Sequence, residues 1–189
     1  MSSGQPPSSN GPAAGPALSL GVPGRPRRHG RWRRVSLVAA AIGLLAGWVA
    51  WYMATPEPLP VDDREVAATG TTRAPVYLGM FAAPEGFDRT LHVAGVKTSA
   101  TASADVAVTP LLCRGGTIGV TSAPDHFCEE LIDPAGATLG EGDSIVLEVS
   151  GEQALVAQVD RIRVAFREDL RWDTVPAGHA GATVVLGAG

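Results

Sequence analysis

The sequence predicts an all-β domain that is attached to a single N-terminal transmembrane helix. An uncharged apolar run over residues 35–53 is long enough to cross a bilayer. From residue 73 onward, apolar and polar residues alternate over short runs that end at turn-forming residues, without helical periodicity. This pattern favours an Ig-like antiparallel β-sandwich of about seven strands over residues 73–189.

Residues 1–34 predict a disordered tail on the cytoplasmic side of the membrane. They are rich in Pro, Gly and Ser and poor in large apolar side chains, so burial cannot offset the entropy lost on ordering. The tail has no acidic residue and contains the arginines Arg25, Arg27, Arg28, Arg31, Arg33 and Arg34. Because positively charged flanks stay in the cytoplasm, we expect the remainder of the chain to be extracytoplasmic.

Residues 35–54 predict an uncleaved transmembrane helix in the cell membrane. At about 1.5 Å per residue the apolar run spans roughly 28 Å, close to the thickness of the hydrocarbon core. Trp48, Trp51 and Tyr52 come at its far end, where amphipathic rings suit the headgroup layer. Signal cleavage needs small residues one and three positions before the cut, and a cut after Ala54 would place Tyr52 at the outer position.

Small residues recur along one face of this helix. Ala39, Gly43 and Gly47 are four residues apart, and the two glycines form a GxxxG motif that allows two helices to approach closely. The motif predicts a homodimer through the membrane. The alternative is that Ala and Gly are simply common in this chain and in membrane helices.

Residues 55–72 predict a proline-rich stalk between the helix and the domain. Pro56, Pro58 and Pro60 alternate with other residues, which favours a semi-rigid polyproline II conformation. The stretch 62–72 fits a short helical turn or further linker equally well.

The alternating runs of the domain define its expected strands. They lie at 76–80, 91–93, 106–113, 118–120, 145–149, 160–167 and 184–186. Residues 127–132 are the stretch that could instead form a helical turn.

The strand over 160–167 would carry three arginines on its solvent face. Its apolar residues Ile162, Val164 and Phe166 point to the core, and its solvent face carries Arg161, Arg163 and Arg167. Such a stripe is a candidate surface for an anionic partner. The alternative is an ordinary solvated face on which the arginines pair with acids such as Glu148 on a neighbouring strand.

Trp172 lies between charged residues in the loop expected before the last strand. A Trp in this setting is typical of an interface anchor. It is equally typical of a side chain that covers the open end of a sandwich core.

The two cysteines, Cys113 and Cys128, predict a disulfide. Both lie in the part of the chain expected outside the cytoplasm, where an even pair in a small domain is normally oxidised. Closing a loop of about fifteen residues stabilises a fold by roughly 3 kcal/mol on the chain-entropy model.

Charge and motifs exclude several classes of function. Residues 57–189 carry nineteen acidic against nine basic side chains, a net charge of −10, which argues against a nucleic-acid partner. His126 and Glu130 could share a helical face and hold a metal, but Cys128 between them is assigned to the disulfide. Because no nucleophile elbow, HExxH or phosphate loop occurs, we expect no catalytic residues, no metal, no cofactor and no enzyme activity.

Several short motifs give the chain a family resemblance. They are Cys113-Arg-Gly-Gly, Phe127-Cys128, Asp133-Pro-Ala-Gly, Gly142-Asp143, Asp160-Arg-Ile-Arg-Val-Ala-Phe-Arg and Arg171-Trp-Asp-Thr-Val-Pro-Ala-Gly. With the arginine-rich tail, the chain resembles small single-pass membrane proteins of high-GC Gram-positive (actinobacterial) type that carry a small extracytoplasmic β domain. The resemblance covers about residues 35–189, implies no assigned activity and supplies no catalytic residues.

The expected function is that of a membrane-anchored interaction or scaffolding module of the cell envelope. Its expected partners are the lipid bilayer and a membrane or envelope protein. An alternative is an accessory subunit of a membrane transport or signalling complex that acts through its helix. A third, less favoured hypothesis is a surface ligand- or metal-binding domain.

Overall fold

The computed structural model describes residues 29–189, so most of the predicted disordered tail lies outside the described residues. Helix α1 spans His29–Met53 and therefore begins six residues before the predicted start. Its span Arg34–Met53 is long and apolar enough to cross a membrane, and the rest of the described protein does not bury it. Pro56 follows closely and prevents the helix from continuing.

The remainder of the described chain is mostly β, which confirms the predicted class. Residues 54–189 form thirteen strands and one 3₁₀ turn, Pro124–His126. The strands are β1 Glu65–Thr71, β2 Val76–Ala82, β3 Leu91–Lys97, β4 Ala100–Ala102, β5 Ala107–Arg114, β6 Val120–Thr121, β7 Glu130–Ile132, β8 Thr138–Leu139, β9 Ser144–Ser150, β10 Leu155–Asp160, β11 Arg163–Glu168, β12 Arg171–Pro176 and β13 Gly181–Gly187.

These strands form three sheets. The five-stranded sheet has the order β6-β2-β9-β5-β7, and one four-stranded sheet has the order β12-β11-β3-β8. The other four-stranded sheet has the order β1-β13-β10-β4. All pairings are antiparallel except that of β1 with β13, which is parallel.

The domain begins earlier than the predicted boundary at residue 73. Strand β1 lies within the range 55–72 that the sequence assigned to a stalk, and it pairs along its whole length with β13. Its sequence, EVAATGT, contains Val66 as its only large apolar residue, and Ala68 is its buried position. Because small residues give a weak alternation signal, this edge strand is not visible in the hydrophobic pattern.

The three sheets enclose one main hydrophobic core. Alternate side chains of β2, β3, β9, β10, β11 and β13 point into it, as the period-two pattern predicts. Its largest fully buried members include Leu78, Met80, Leu91, Leu147, Ile162, Phe166 and Leu186.

A second, smaller cluster lies on the other face of the five-stranded sheet. The disulfide between Cys113 and Cys128 is present, which confirms the predicted pair. Both cysteines are buried with Ile118 against Val146 of β9. The disulfide therefore fixes the loop that covers this face, and β9 is buried on both sides.

The predicted strand over 160–167 is interrupted in the structure. Strand β10 ends at Asp160, β11 begins at Arg163, and the two belong to different sheets. Buried positions in β10 are odd-numbered and those of β11 are even-numbered. The change of parity marks the point where the chain passes from one sheet to the other.

Candidate interaction surface

The segment that follows α1 is packed against the domain rather than extended as a stalk. We call residues 57–64 the strap. Leu59 is buried in the main core, with 4% of its surface exposed. Gly178 N donates to Pro60 O at 2.8 Å, and Asp62 N donates to Gly178 O at 3.1 Å. The prolines of this segment predict only that the chain is stiff. Its docking against the domain depends on Gly178, which is more than a hundred residues away in the sequence.

Gly178 permits this docking because it has no side chain. Its φ of +66° lies in the left-handed region that favours glycine. A Cβ atom at this position would collide with the backbone carbonyl oxygen of Met80. The strap and β2 therefore approach the same glycine from two sides.

Arg89 clamps the first residues of the strap. Its Nη2 donates to Glu57 O at 3.1 Å and its Nη1 donates to Pro58 O at 3.2 Å. The same guanidinium pairs with Glu168 through Nε–Oε1 at 2.8 Å and Nη2–Oε2 at 2.9 Å. It also lies over the Phe166 ring, 5.9 Å from its centroid.

The pair between Arg89 and Glu168 is largely shielded from water, since each side chain is 12% exposed. The hydrogen bonds from Arg89 hold the pKa of Glu168 below its usual value of 4.5, although burial acts in the opposite direction. Arg171 Nη2 lies 3.4 Å from the same carboxylate. One buried acid thus joins the strap to the end of β11.

His179 makes a further contact with the strap. Its Nδ1 lies 2.9 Å from Asp62 Oδ1 and 3.0 Å from Oδ2. The hydrogen bond with His179 holds the pKa of Asp62 below its usual value of 3.8.

Glu168 also anchors a tight hairpin between β11 and β12. It pairs directly with Arg171, so Asp169 and Leu170 form a two-residue turn. Asp169 has a φ of +52°, which is unusual for a residue with a side chain. Leu170 is 71% exposed and Trp172 is 68% exposed. We call residues 169–172 the hairpin tip.

Trp172 therefore does not cover the core, and that interpretation of the sequence is wrong. It borders a shallow groove of about 370 Å³ whose lining includes Ala94, Ala165 and Thr174. The exposed ring and the small neighbouring side chains leave room for a partner beside it.

Exposed basic side chains gather on the outer face of the sheet β12-β11-β3-β8. Side chains that lie directly opposite each other in a sheet share a face. Arg163 is opposite Lys97 of β3, and Arg167 lies between His92 of β3 and Trp172 of β12. All five side chains are exposed. We call Lys97, Arg163, Arg167 and His92 the cationic face, and Trp172 lies beside it.

Carboxylates do not neutralise this face. Within residues 29–189, no Asp or Glu oxygen lies within 4.0 Å of a charged nitrogen of Lys97, Arg163 or Arg167. Glu148, the acid expected to pair with the arginines, lies on β9 in another sheet, opposite Tyr77 and Thr109.

Arg161 is not part of the cationic face. It lies in the connection between β10 and β11, where its Nη2 donates to Asp62 O at 2.7 Å and lies 3.5 Å from Asp63 Oδ1. The structure thus brings Arg163, Arg167 and Trp172 together and places Arg161 with the strap.

The residues considered for metal binding are not brought together. His126 ends the 3₁₀ turn and Glu130 begins β7, so they do not share a helical face. In the described part of the chain, no group of three His, Cys, Asp or Glu side chains could hold a metal ion.

Ala39, Gly43 and Gly47 of α1 are exposed. Beyond the adjacent backbone of the helix itself, a Cβ atom added at Gly43 or at Gly47 would meet no atom of the described residues within 4 Å. The face that contains Ala39, Gly43 and Gly47 is therefore open to lipid or to another helix.

Several residues of this surface have no signal in the sequence. Arg89 and Glu168 are 79 positions apart, and only the fold brings them into contact. His92 and Lys97 join the cationic face through the register of β3 with β11. That register includes a bulge at Ala165/Phe166, which strand alternation does not indicate.

Comparison of the chain with models of protein families, with curated proteins and with solved structures finds no match.

Proposed function

We propose that this chain is a single-pass membrane protein that presents a rigid Ig-like β-sandwich outside the cytoplasm as an interaction module of the cell envelope. Helix α1 is its anchor, and the arginines before the apolar run of residues 35–53 keep the amino end in the cytoplasm. The disulfide supports an oxidising location for the domain.

The cationic face carries this proposal. A domain with a net charge of −10 has Lys97, Arg163 and Arg167 on one sheet face beside an exposed Trp172, and within residues 29–189 no carboxylate pairs with these three side chains. Arg163 Nη2 donates to the backbone oxygen of Thr174 at 2.7 Å, which leaves its positive charge without a counter-ion. Positive charge without a counter-ion next to an exposed aromatic ring is typical of a surface that recognises an anionic partner. We propose that the module acts by binding through this face and has no catalytic activity.

The topology is tested by reporter fusions in intact cells. A reporter that is active only outside the cytoplasm should be active after Gly189 and silent after Gly30. The reverse pattern, or activity at both positions, would contradict the proposed orientation.

The role of the face is tested by charge reversal and photo-crosslinking. A photo-reactive residue in place of Ala94, in the groove beside Trp172, should form adducts in cells, and R163E/R167E should abolish them. The double variant R64E/R73E makes the same change of charge at two exposed sites away from the face and should leave the adducts intact. Equal loss in both variants would indicate a general effect of charge and contradict a specific face.

A further inference from the structure

We propose that the cationic face and the hairpin tip bind the anionic headgroups of the bilayer that α1 crosses, so that the domain lies against the outer surface of its own membrane. This inference rests on the proposed function, since it requires α1 to be a membrane anchor. It assigns a partner to the same surface.

The length of the connection limits how far the domain can stand from the helix. Only residues 54–56 separate Met53, the end of α1, from Glu57, whose carbonyl oxygen accepts a hydrogen bond from Arg89. Four Cα–Cα steps of about 3.8 Å allow at most roughly 15 Å between Met53 and Glu57.

The same clamp places the hairpin tip at this end of the domain. Arg89 holds Glu57 and Glu168 at once, and Glu168 immediately precedes the turn. The guanidinium carbon of Arg171 lies 5.4 Å from the ring centroid of Tyr52, in the last turn of α1. The hairpin tip is therefore next to the point where the chain leaves the helix.

The side chains of the hairpin tip suit the interfacial layer of a bilayer. Leu170 and Trp172 are the two most exposed large apolar side chains in the described residues after α1. Trp prefers the headgroup level, where its ring is partly buried and its N–H remains hydrated. The buried contacts of Glu168 fix the strained turn at Asp169, so both side chains are presented in a defined position.

The cationic face adds charge complementarity. Arg167 lies directly opposite Trp172, and Arg163 and Lys97 continue the positive charge along the sheet. Basic side chains close to a membrane surface are attracted by anionic lipids, and this attraction falls off within a Debye length. The short connection keeps the domain near enough to the membrane surface for this attraction to act.

Depth-dependent fluorescence quenching tests this arrangement in the full chain. The chain contains four tryptophans, and changing Trp32, Trp48 and Trp51 to Phe leaves Trp172 as the only one. The protein is placed in nanodiscs of phosphatidylcholine and phosphatidylglycerol, in which part of the phosphatidylcholine is brominated near the top of its acyl chains. We expect at least a twofold loss of Trp172 emission relative to unbrominated discs.

A matched control has its only tryptophan at another exposed site. In this variant Trp172 also becomes Phe, and Val156, 49% exposed on the sheet that contains β1, becomes Trp. Its emission should not change with brominated lipid. Quenching of Trp172 should also decrease with R163E/R167E, at high salt and in discs without phosphatidylglycerol, but not with R64E/R73E.

A further variant that retains Trp51 alone separates this inference from the proposed anchor. If Trp51 is quenched and Trp172 is not, the anchor stands and the inference is overturned. If Trp172 is shielded from iodide but not quenched by brominated lipid, a protein or a second copy covers it, and the inference is again overturned. If neither is quenched and the protein elutes apart from the discs, the anchor itself fails.

Discussion

Gly178 shows how one residue without a side chain determines where the strap lies. The strap contacts its backbone on one side and the carbonyl of Met80 lies on the other, so the position requires both a positive φ and the absence of a Cβ atom. These two requirements have separable energetic costs.

Replacing Gly178 with Ala should destabilise the domain and release the strap. Gly136 provides a matched control, since its φ is +83° but an added Cβ would meet nothing within 4 Å. Gly136→Ala should cost about 1 kcal/mol from backbone strain alone, and Gly178→Ala should cost at least about twice as much. Chemical unfolding of the full chain in detergent measures the free energy of unfolding of both variants. An equal loss in the two variants would show that the collision with Met80 is relieved.

Glu168 should make stability depend on acid pH. Because its pKa is lower in the folded chain than its ordinary value of 4.5, its contribution to the free energy of unfolding is complete above pH 4.5. That contribution is lost as the pH falls through the folded-state pKa. Unfolding of the wild type should therefore become easier below pH 4.5, and more steeply than that of Glu168→Gln.

At neutral pH, Glu168→Gln should destabilise the chain, because it leaves Arg89 shielded from water without its ionic partner. Breaking a buried pair costs about 3 kcal/mol or more. Glu85→Gln, at an exposed position, should change stability by less than about 0.5 kcal/mol. Equal pH profiles for Glu168→Gln and the wild type would show that the Arg89 pair does not contribute.

At the scale of elements, α1 and the β strands differ in how clearly the sequence encodes them. Helix α1 contains a long apolar run, and strands β2, β9 and β11 have large apolar side chains at buried positions. The hydrophobic pattern alone therefore identifies these elements. Strand β1 and the strap depend on small residues and backbone hydrogen bonds to distant partners. Because such contacts leave no periodic signal, the sequence of this part predicts a stalk.

Helix α1 provides a test of the alternative function, an accessory subunit that acts within the membrane. If the open face with Gly43 and Gly47 mediates helix association, Gly43→Ile should abolish the dimer or complex observed in detergent. Ala41→Ile adds similar bulk on the opposite face of the helix and should leave association intact. Crosslinking of the full chain in mild detergent distinguishes the two variants, and an unchanged complex in Gly43→Ile would exclude this contact.

For the molecule as a whole, the sequence predicted a β domain with a disulfide behind one apolar helix, but not the arrangement that forms the candidate surface. Arg163, Arg167 and Trp172 were identified from local sequence. His92 and Lys97 belong to the surface because β3 pairs with β11, which the sequence does not indicate. Arg161 does not belong to it, because the chain passes from one sheet to another beside this residue. Residue type and spacing predict which face of a strand a side chain occupies, whereas pairing across sheets depends on packing of the entire core.

The short connection before the strap has a consequence for encounter rates. A domain on a long flexible linker samples a volume of solution around its anchor, and linker length then sets its effective concentration at a target. With three residues between α1 and the clamped strap, an anchored domain has almost no such volume to sample. Its encounters would be governed by lateral diffusion in two dimensions, so the density of its target within the membrane plane, rather than the bulk concentration, would determine occupancy.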